Sequence, residues 1–208
     1  MAESIDYFVS LISPWSYLGH QALMDTARRH RATVKVRPVR IFDLFAEVGS
    51  LPLPLPQRPP VRQSYRLIEL QRVRAQRGLP LNLQPKFYPV DVALADRSVI
   101  ALVEQGHDPA GYMADAFAAL WVNEQDLAEP DTLAALLAAR GFDPQAVLQD
   151  AASGRIEGIY ADNTQAAIKA GLPGLPGYVR FNEPFWGQDR IEMLDAALAS
   201  ERPPYRAG

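Results

Sequence analysis

The tightest restriction on the fold is an order of patterns: strand, helix, strand at the start of the chain, strand, strand, helix at its end, and about 110 helical residues between. Ile5, Tyr7, Phe8, Val9, Leu11 and Ile12 form a run rich in β-branched and aromatic residues, which predicts a strand ended by Ser13 and Pro14. Ser13 suits an N-cap and Pro14 a first helical residue. Trp15, Leu18 and Ala22 then recur at helical spacing as far as the basic stretch Arg28 to Arg31. Residues 33–39, TVKVRPV, alternate as a second strand does, so the opening is a β-α-β unit, which normally builds parallel pairing with a right-handed crossover.

Leu51 to Pro60 holds five prolines in ten residues and is expected to be a stiff extended loop. Helical signals follow to about residue 171. Arg62 to Arg77 stops at Gly78, Asp91 to Gln105 at Gly106, Asp131 to Arg140 at Gly141, and Ile156 to Ala170 at Gly171; further helices are expected over Pro109 to Trp121 and from Asp143 and Pro144. Tyr178 to Phe181 then reads as a strand, Asn182 to Pro184 as a tight turn, and Phe185 with Trp186 as a short strand. Ile191, Leu194 and Leu198 mark a closing helix. A β-α-β half followed by a β-β-α half is the thioredoxin plan. The fold class expected is therefore α/β, thioredoxin-like, with a large all-helical insertion: residues 1–40 and 172–208 form the thioredoxin-like part, and 41–171 the proline-rich loop and the insertion.

None of the 208 residues is cysteine. That excludes a disulfide framework, a thiolate metal site, a cysteine nucleophile and self-contained dithiol chemistry, so any thiol used here is borrowed. His20, His30 and His107 lie too far apart for a short-spaced zinc motif, and no metal is expected. With 21 basic and 24 acidic residues, nucleic acid is not the expected partner. Six arginines between Arg58 and Arg77 read as a solvated helix face rather than an anion site. No basic leader and no apolar run of membrane-spanning length is visible, so a cytoplasmic protein is expected.

Three segments hold candidate chemistry. Ser13-Pro14-Trp15-Ser16 stands at a helix entrance, where free amides and the helix dipole stabilise an anion; a Ser13 hydroxyl there can donate to an external thiolate, or merely cap the helix. Gly171-Leu172-Pro173-Gly174-Leu175-Pro176-Gly177 precedes a strand. A cis Leu175–Pro176 bond would leave the Leu175 backbone open to an extended peptide, although an ordinary proline turn explains the same residues. Phe185-Trp186-Gly187-Gln188-Asp189-Arg190 leads into the last helix and could hold an amino-acid zwitterion, or simply complement the dipole.

Carried by YFVSLISPWSYLG, GLPGLP and FWGQDRIEML, the chain resembles the 2-hydroxychromene-2-carboxylate isomerases and kappa-class glutathione transferases of the DsbA-like thioredoxin fold. The resemblance implies glutathione as cofactor. Ser13 would bond its sulfur, Leu175 would pair with its cysteinyl part, and Trp186, Gly187, Gln188, Asp189 and Arg190 would hold the γ-glutamyl end. It further implies a glutathione-dependent cis-trans isomerase of an aromatic or conjugated hydroxy acid, placed in aromatic-compound breakdown, and a homodimer. Arg58, Phe87 and Tyr88 are the substrate-side candidates. The chain departs from the family at Ser10, where an acidic residue is usual, at Gly177, and across Leu51 to Pro60. A kappa-like transferase or peroxidase, and a non-catalytic thioredoxin-like binding module, stand as the alternatives.

Overall fold

A computed structural model describes residues 3–49, 58–200 and 202–206. Four strands, β1 (Ser4–Val9), β2 (Thr33–Pro38), β3 (Gly177–Arg180) and β4 (Glu183–Trp186), form a sheet in the order β2-β1-β3-β4. β1 runs parallel to β2 and antiparallel to β3, with Tyr7 opposite Tyr178 and Phe8 opposite Gly177; β3 and β4 form an antiparallel hairpin. Helix α1 (Pro14–His30) makes the first crossover, and a 3-10 turn (Gln188–Arg190) leads into α9 (Ile191–Ala199). Between β2 and β3 come α2 (Ile41–Val48), α3 (Pro60–Arg77), α4 (Ala93–Glu104), α5 (Ala110–Trp121), α6 (Pro130–Ala139), α7 (Pro144–Ala151) and α8 (Gly154–Lys169). This is the expected α/β plan, with helices between its two halves.

Strand alternation sorts the core onto both faces of the sheet. Ile5, Tyr7, Val9 and Tyr178 join a large cluster with α1, α4, α5 and α9, while Phe8 and Val179 join a smaller one with Leu44 of α2, Ala167 of α8, Leu172 and Leu175. Each fully buried aliphatic or aromatic side chain contributes roughly 1.5–3 kcal/mol relative to exposure. Trp121, Tyr112, Phe117 and Leu120, all fully buried on α5, make that helix the spine of the larger cluster.

Several boundaries differ from expectation for identifiable reasons. β1 stops at Val9, before Leu11 and Ile12, because the Leu11 N–H donates to a carboxylate of α4 instead of a ladder partner. α3 starts at Pro60, since proline fits a first helical turn that needs no N–H; residues 51–57 of the expected proline loop lie outside the described residues. α2 was not expected: it has no side-chain N-cap and gains its place by burying Leu44 and Phe45. The hairpin turn is Phe181–Asn182, both at positive φ, and Pro184 sits in the edge strand β4, where its missing N–H is tolerated. Nor do the arginines make one solvated face. Arg72 pairs with Glu69 on the surface, but Arg74 donates to the Leu81 carbonyl and Arg77 reaches the turn before α9.

Candidate active site

Ser13 is the N-cap of α1 and only 3% exposed. Its N–H donates to the Ser10 carbonyl at 3.1 Å, closing the turn out of β1, and its Oγ accepts the Ser16 N–H at 3.2 Å. The Ser13 hydroxyl proton has no acceptor among the described residues. The first turn of α1 holds no acidic residue and its last turn holds Arg28, Arg29 and His30, so side chains do nothing to cancel the positive potential at Ser13. The geometry suits an anion held by one hydroxyl and a helix entrance.

The turn carrying Ser13 is held from behind by α4. Asp96 accepts from Leu11 N–H, Ser10 Oγ and Tyr160 OH, each at 2.8 Å. Burial pushes its carboxyl up to about 7, against the pull of those three hydrogen bonds. Sequence reasoning missed Asp96 and Tyr160, although a signal existed. Asp96 stands four residues after Val92 and three and four before Val99 and Ile100, inside the buried stripe of an apolar helix.

The other two segments meet beside this turn. The Leu175–Pro176 peptide is cis. Phe8 opposite Gly177 sets that loop against the end of β1, and the Gly187 N–H donates to the Pro176 carbonyl at 2.8 Å, joining the two late motifs. No hydrogen bond to a described residue uses the Leu175 backbone. Trp186 is 45% exposed, and its indole edge leaves no room at Gly174, where an added Cβ would stand 2.9 Å from Nε1. Gly187 has φ 98°, which favours glycine.

Gln188 is buried rather than presented: Arg77 donates from Nε and Nη2 to its Oε1 at 3.1 and 2.9 Å, and from Nη2 to its carbonyl at 3.0 Å. α1 reaches the same turn at Gly19, where a Cβ would stand 2.8 Å from the Gln188 Cβ. Asp189 and Arg190 are exposed and paired with each other at 2.6 Å. Arg77 is thus a third residue that sequence reasoning missed, and nothing in its local pattern points to the turn 111 positions away.

The substrate-side candidates form a separate group. Phe87 is partly buried below Lys86, and Tyr88 packs on Trp121 at 4.9 Å between ring centres. Over the Tyr88 ring, at 5.4 Å, lies the guanidinium of Arg66; its Nη2 is buried without a hydrogen-bond partner. Burial pushes the Arg66 group down, Tyr88 opposes that, and Arg58 close by adds a repulsive contribution. Among the described residues, no hydrogen bond, ion pair or ring contact joins this group to Ser13. The route between them runs along Tyr17, one turn after Ser13, through Phe117 and Trp121 of α5. A cavity of about 770 Å³ flanks β2 and α4 and is lined by none of these residues. A smaller one of about 320 Å³ is lined by Ser10, Ile12, Arg40 and Tyr160. Among the described residues no group of three or more His, Asp or Glu could hold a metal ion, and no helix is long and apolar enough to cross a membrane.

Comparison with known proteins agrees with this fold. Residues 4–199 match the family described as the DSBA-like thioredoxin domain. The chain is 27% identical to a 2-hydroxychromene-2-carboxylate isomerase of Sphingobium xenophagum, over 95% of this chain and 99% of that protein. It is 23% identical to the Homo sapiens glutathione S-transferase kappa 1, over 97% of this chain and 93% of that protein. A solved 2-hydroxychromene-2-carboxylate isomerase superposes with a TM-score of 0.82 at 23% identity, covering 94% of each chain.

Proposed function

Because the chain belongs to the DsbA-like thioredoxin family, with isomerases and a kappa-class transferase among its relatives, we propose that it is a glutathione-dependent cis-trans isomerase of an aromatic or conjugated hydroxy acid. The observation that carries this reading is the Ser13 hydroxyl, buried at the entrance of α1 with its proton unused, beside a cis-proline loop tied to Gly187.

The residues present fit glutathione. A Leu175 backbone that no described residue bonds, beside cis Pro176, suits an extended tripeptide in β-like pairing. Asp189 and the amides around Gly187 suit an amino-acid end, while Trp186 and Arg190 border the same turn. When bound, glutathione supplies the thiol that this cysteine-free chain lacks, a nucleophile able to add reversibly to a conjugated carbonyl. Ser13 would donate a hydrogen bond to the sulfur, and the α1 entrance would favour negative charge there. Arg66, whose Nη2 is buried over Tyr88 without a hydrogen-bond partner among the described residues, favours an anionic aromatic substrate, whose carboxylate would accept from that nitrogen. The cytoplasm and a homodimeric state complete the reading.

Calorimetry with glutathione, followed by isomerisation of hydroxychromene carboxylate with glutathione present, tests it. Saturable binding, turnover that collapses in Ser13→Ala, and full recovery of glutathione are expected. Stoichiometric consumption of glutathione would replace the isomerase with a transferase. Absence of binding would leave a thioredoxin-like binding module.

A further inference from the structure

Among the described residues Asp96 has three hydrogen-bond donors and no paired cation. Two of its donors, Ser10 and Leu11, lie on the turn that ends at Ser13; the third, Tyr160, comes from α8. The ionisable groups around it are few. Tyr160 touches it directly; Tyr112 of α5 is within reach of its charge, as is Asp91 just before α4. Arg40, after β2, lies 5.4 Å over the Tyr160 ring but pairs with Glu157, and so does Arg97, so neither cation compensates Asp96 directly. A buried carboxyl without a counter-ion is a costly way to fill space. Packing alone does not call for it.

On the reading of the Ser13 site given above, we propose that Asp96 is a positioning residue for that site: from α4 it holds the Ser10–Ser13 turn, and gain or loss of its proton is passed through Ser10 to Ser13. Ionised, the carboxylate is purely an acceptor and fixes both hydroxyls and the Leu11 N–H. Protonated by solvent, it becomes a donor, so one of its hydroxyl partners must turn its own O–H away. Ser10 and Tyr160 both line the cavity of about 320 Å³, which gives that O–H somewhere to go and water a route for the proton. The Ser10 carbonyl receives the Ser13 N–H, so a shift at Ser10 moves the N-cap directly. Burial sets the midpoint near neutrality, where such a change would be felt.

Amide chemical shifts of the free, isotope-labelled protein, followed from about pH 5 to about pH 9, test the coupling without glutathione. Leu11 and Ser13 are expected to titrate together with a midpoint near 7, and both to become flat in Asp96→Asn. A Leu11 titration that leaves Ser13 unmoved overturns the proposal, as does a Ser13 titration that survives in Asp96→Asn. Should that variant not fold, Ser10→Ala keeps the Leu11 and Tyr160 bonds and removes the relay. There Leu11 should still titrate while the Ser13 response falls by at least about half, and an undiminished response overturns the proposal. A second arm follows the thiolate absorbance of added glutathione. Removing the carboxylate charge should lower the bound thiol's pKa by about half a unit. Joint titration of Leu11 and Ser13 with no glutathione binding upholds the coupling and overturns the cofactor reading; glutathione binding with an immobile Ser13 does the reverse.

Discussion

The two groups of candidate residues, around Ser13 and around Tyr88, are built in opposite ways. On the Ser13 side three chain segments are locked by backbone: a helix cap, a cis-proline loop and a glycine turn, joined by the Gly187-to-Pro176 hydrogen bond and backed by Asp96 and Arg77. On the Tyr88 side the contacts are side-chain stacks, Tyr88 on Trp121 and Arg66 on Tyr88, and a buried guanidinium nitrogen lacks a partner. Backbone geometry survives wide sequence change, whereas side-chain stacking changes with each substitution. The rigid side therefore suits an invariant ligand, and the other side suits a ligand that differs from protein to protein.

The contrast breaks if removing a polar group on the rigid side has small effects. Ser13→Ala should lower isomerase turnover by about two to three orders of magnitude, the range seen when an anion-stabilising donor is removed, while the lost cap lowers stability by only about 1 kcal/mol. Turnover and thermal unfolding measured on the same preparation separate the two effects.

Asp96→Asn sharpens the comparison through pH. The folded carboxyl titrates near 7 against a reference of 3.8, so the native state holds the extra proton within that window. The stability this contributes is fully present below the lower value and is lost as pH rises through the upper one, a few kcal/mol in all. Denaturant midpoints of the variant should lack most of that decline; a wild-type-like slope would show that another group is responsible.

Arg66→Met should raise KM for an anionic aromatic substrate by about tenfold, with glutathione affinity unchanged, because one charged hydrogen-bond donor is removed from one side alone. Equal losses on both sides would erase the distinction. Arg77→Met has the mirror-image expectation: it frees two Gln188 oxygens and should weaken glutathione by about fivefold, leaving the substrate's KM in place. Calorimetry checks the first quantity and initial rates the second.

How much of this was legible in the sequence follows from the same division. Ser13-Pro14, the glycine-proline loop and the Trp186–Gly187 turn are local signals, because caps, cis-proline candidates and positive-φ glycines are written in adjacent residues. The β-α-β and β-β-α halves were also legible, since each is a local succession of patterns. α2 was not, as Ile41–Val48 owes its place to Leu44, which finds a core with Ala167 of α8. The run of arginines shows the limit most clearly. Arg66 and Arg77 belong to one run of six, yet Arg66 lies against Tyr88 and Arg77 reaches Gln188, and tertiary neighbours alone set them apart.

The Ser10-to-Asp96 hydrogen bond has a consequence for recombination. It ties a residue of the first crossover to one inside the helices that separate the two halves of the chain. A chimera that kept its own β1 and took an α4 without an acid at position 96 would leave the Ser10 hydroxyl and the Leu11 N–H without their acceptor. Positions 10 and 96 must travel together, so the smallest transplantable unit of this site spans both the strand and the helix behind it.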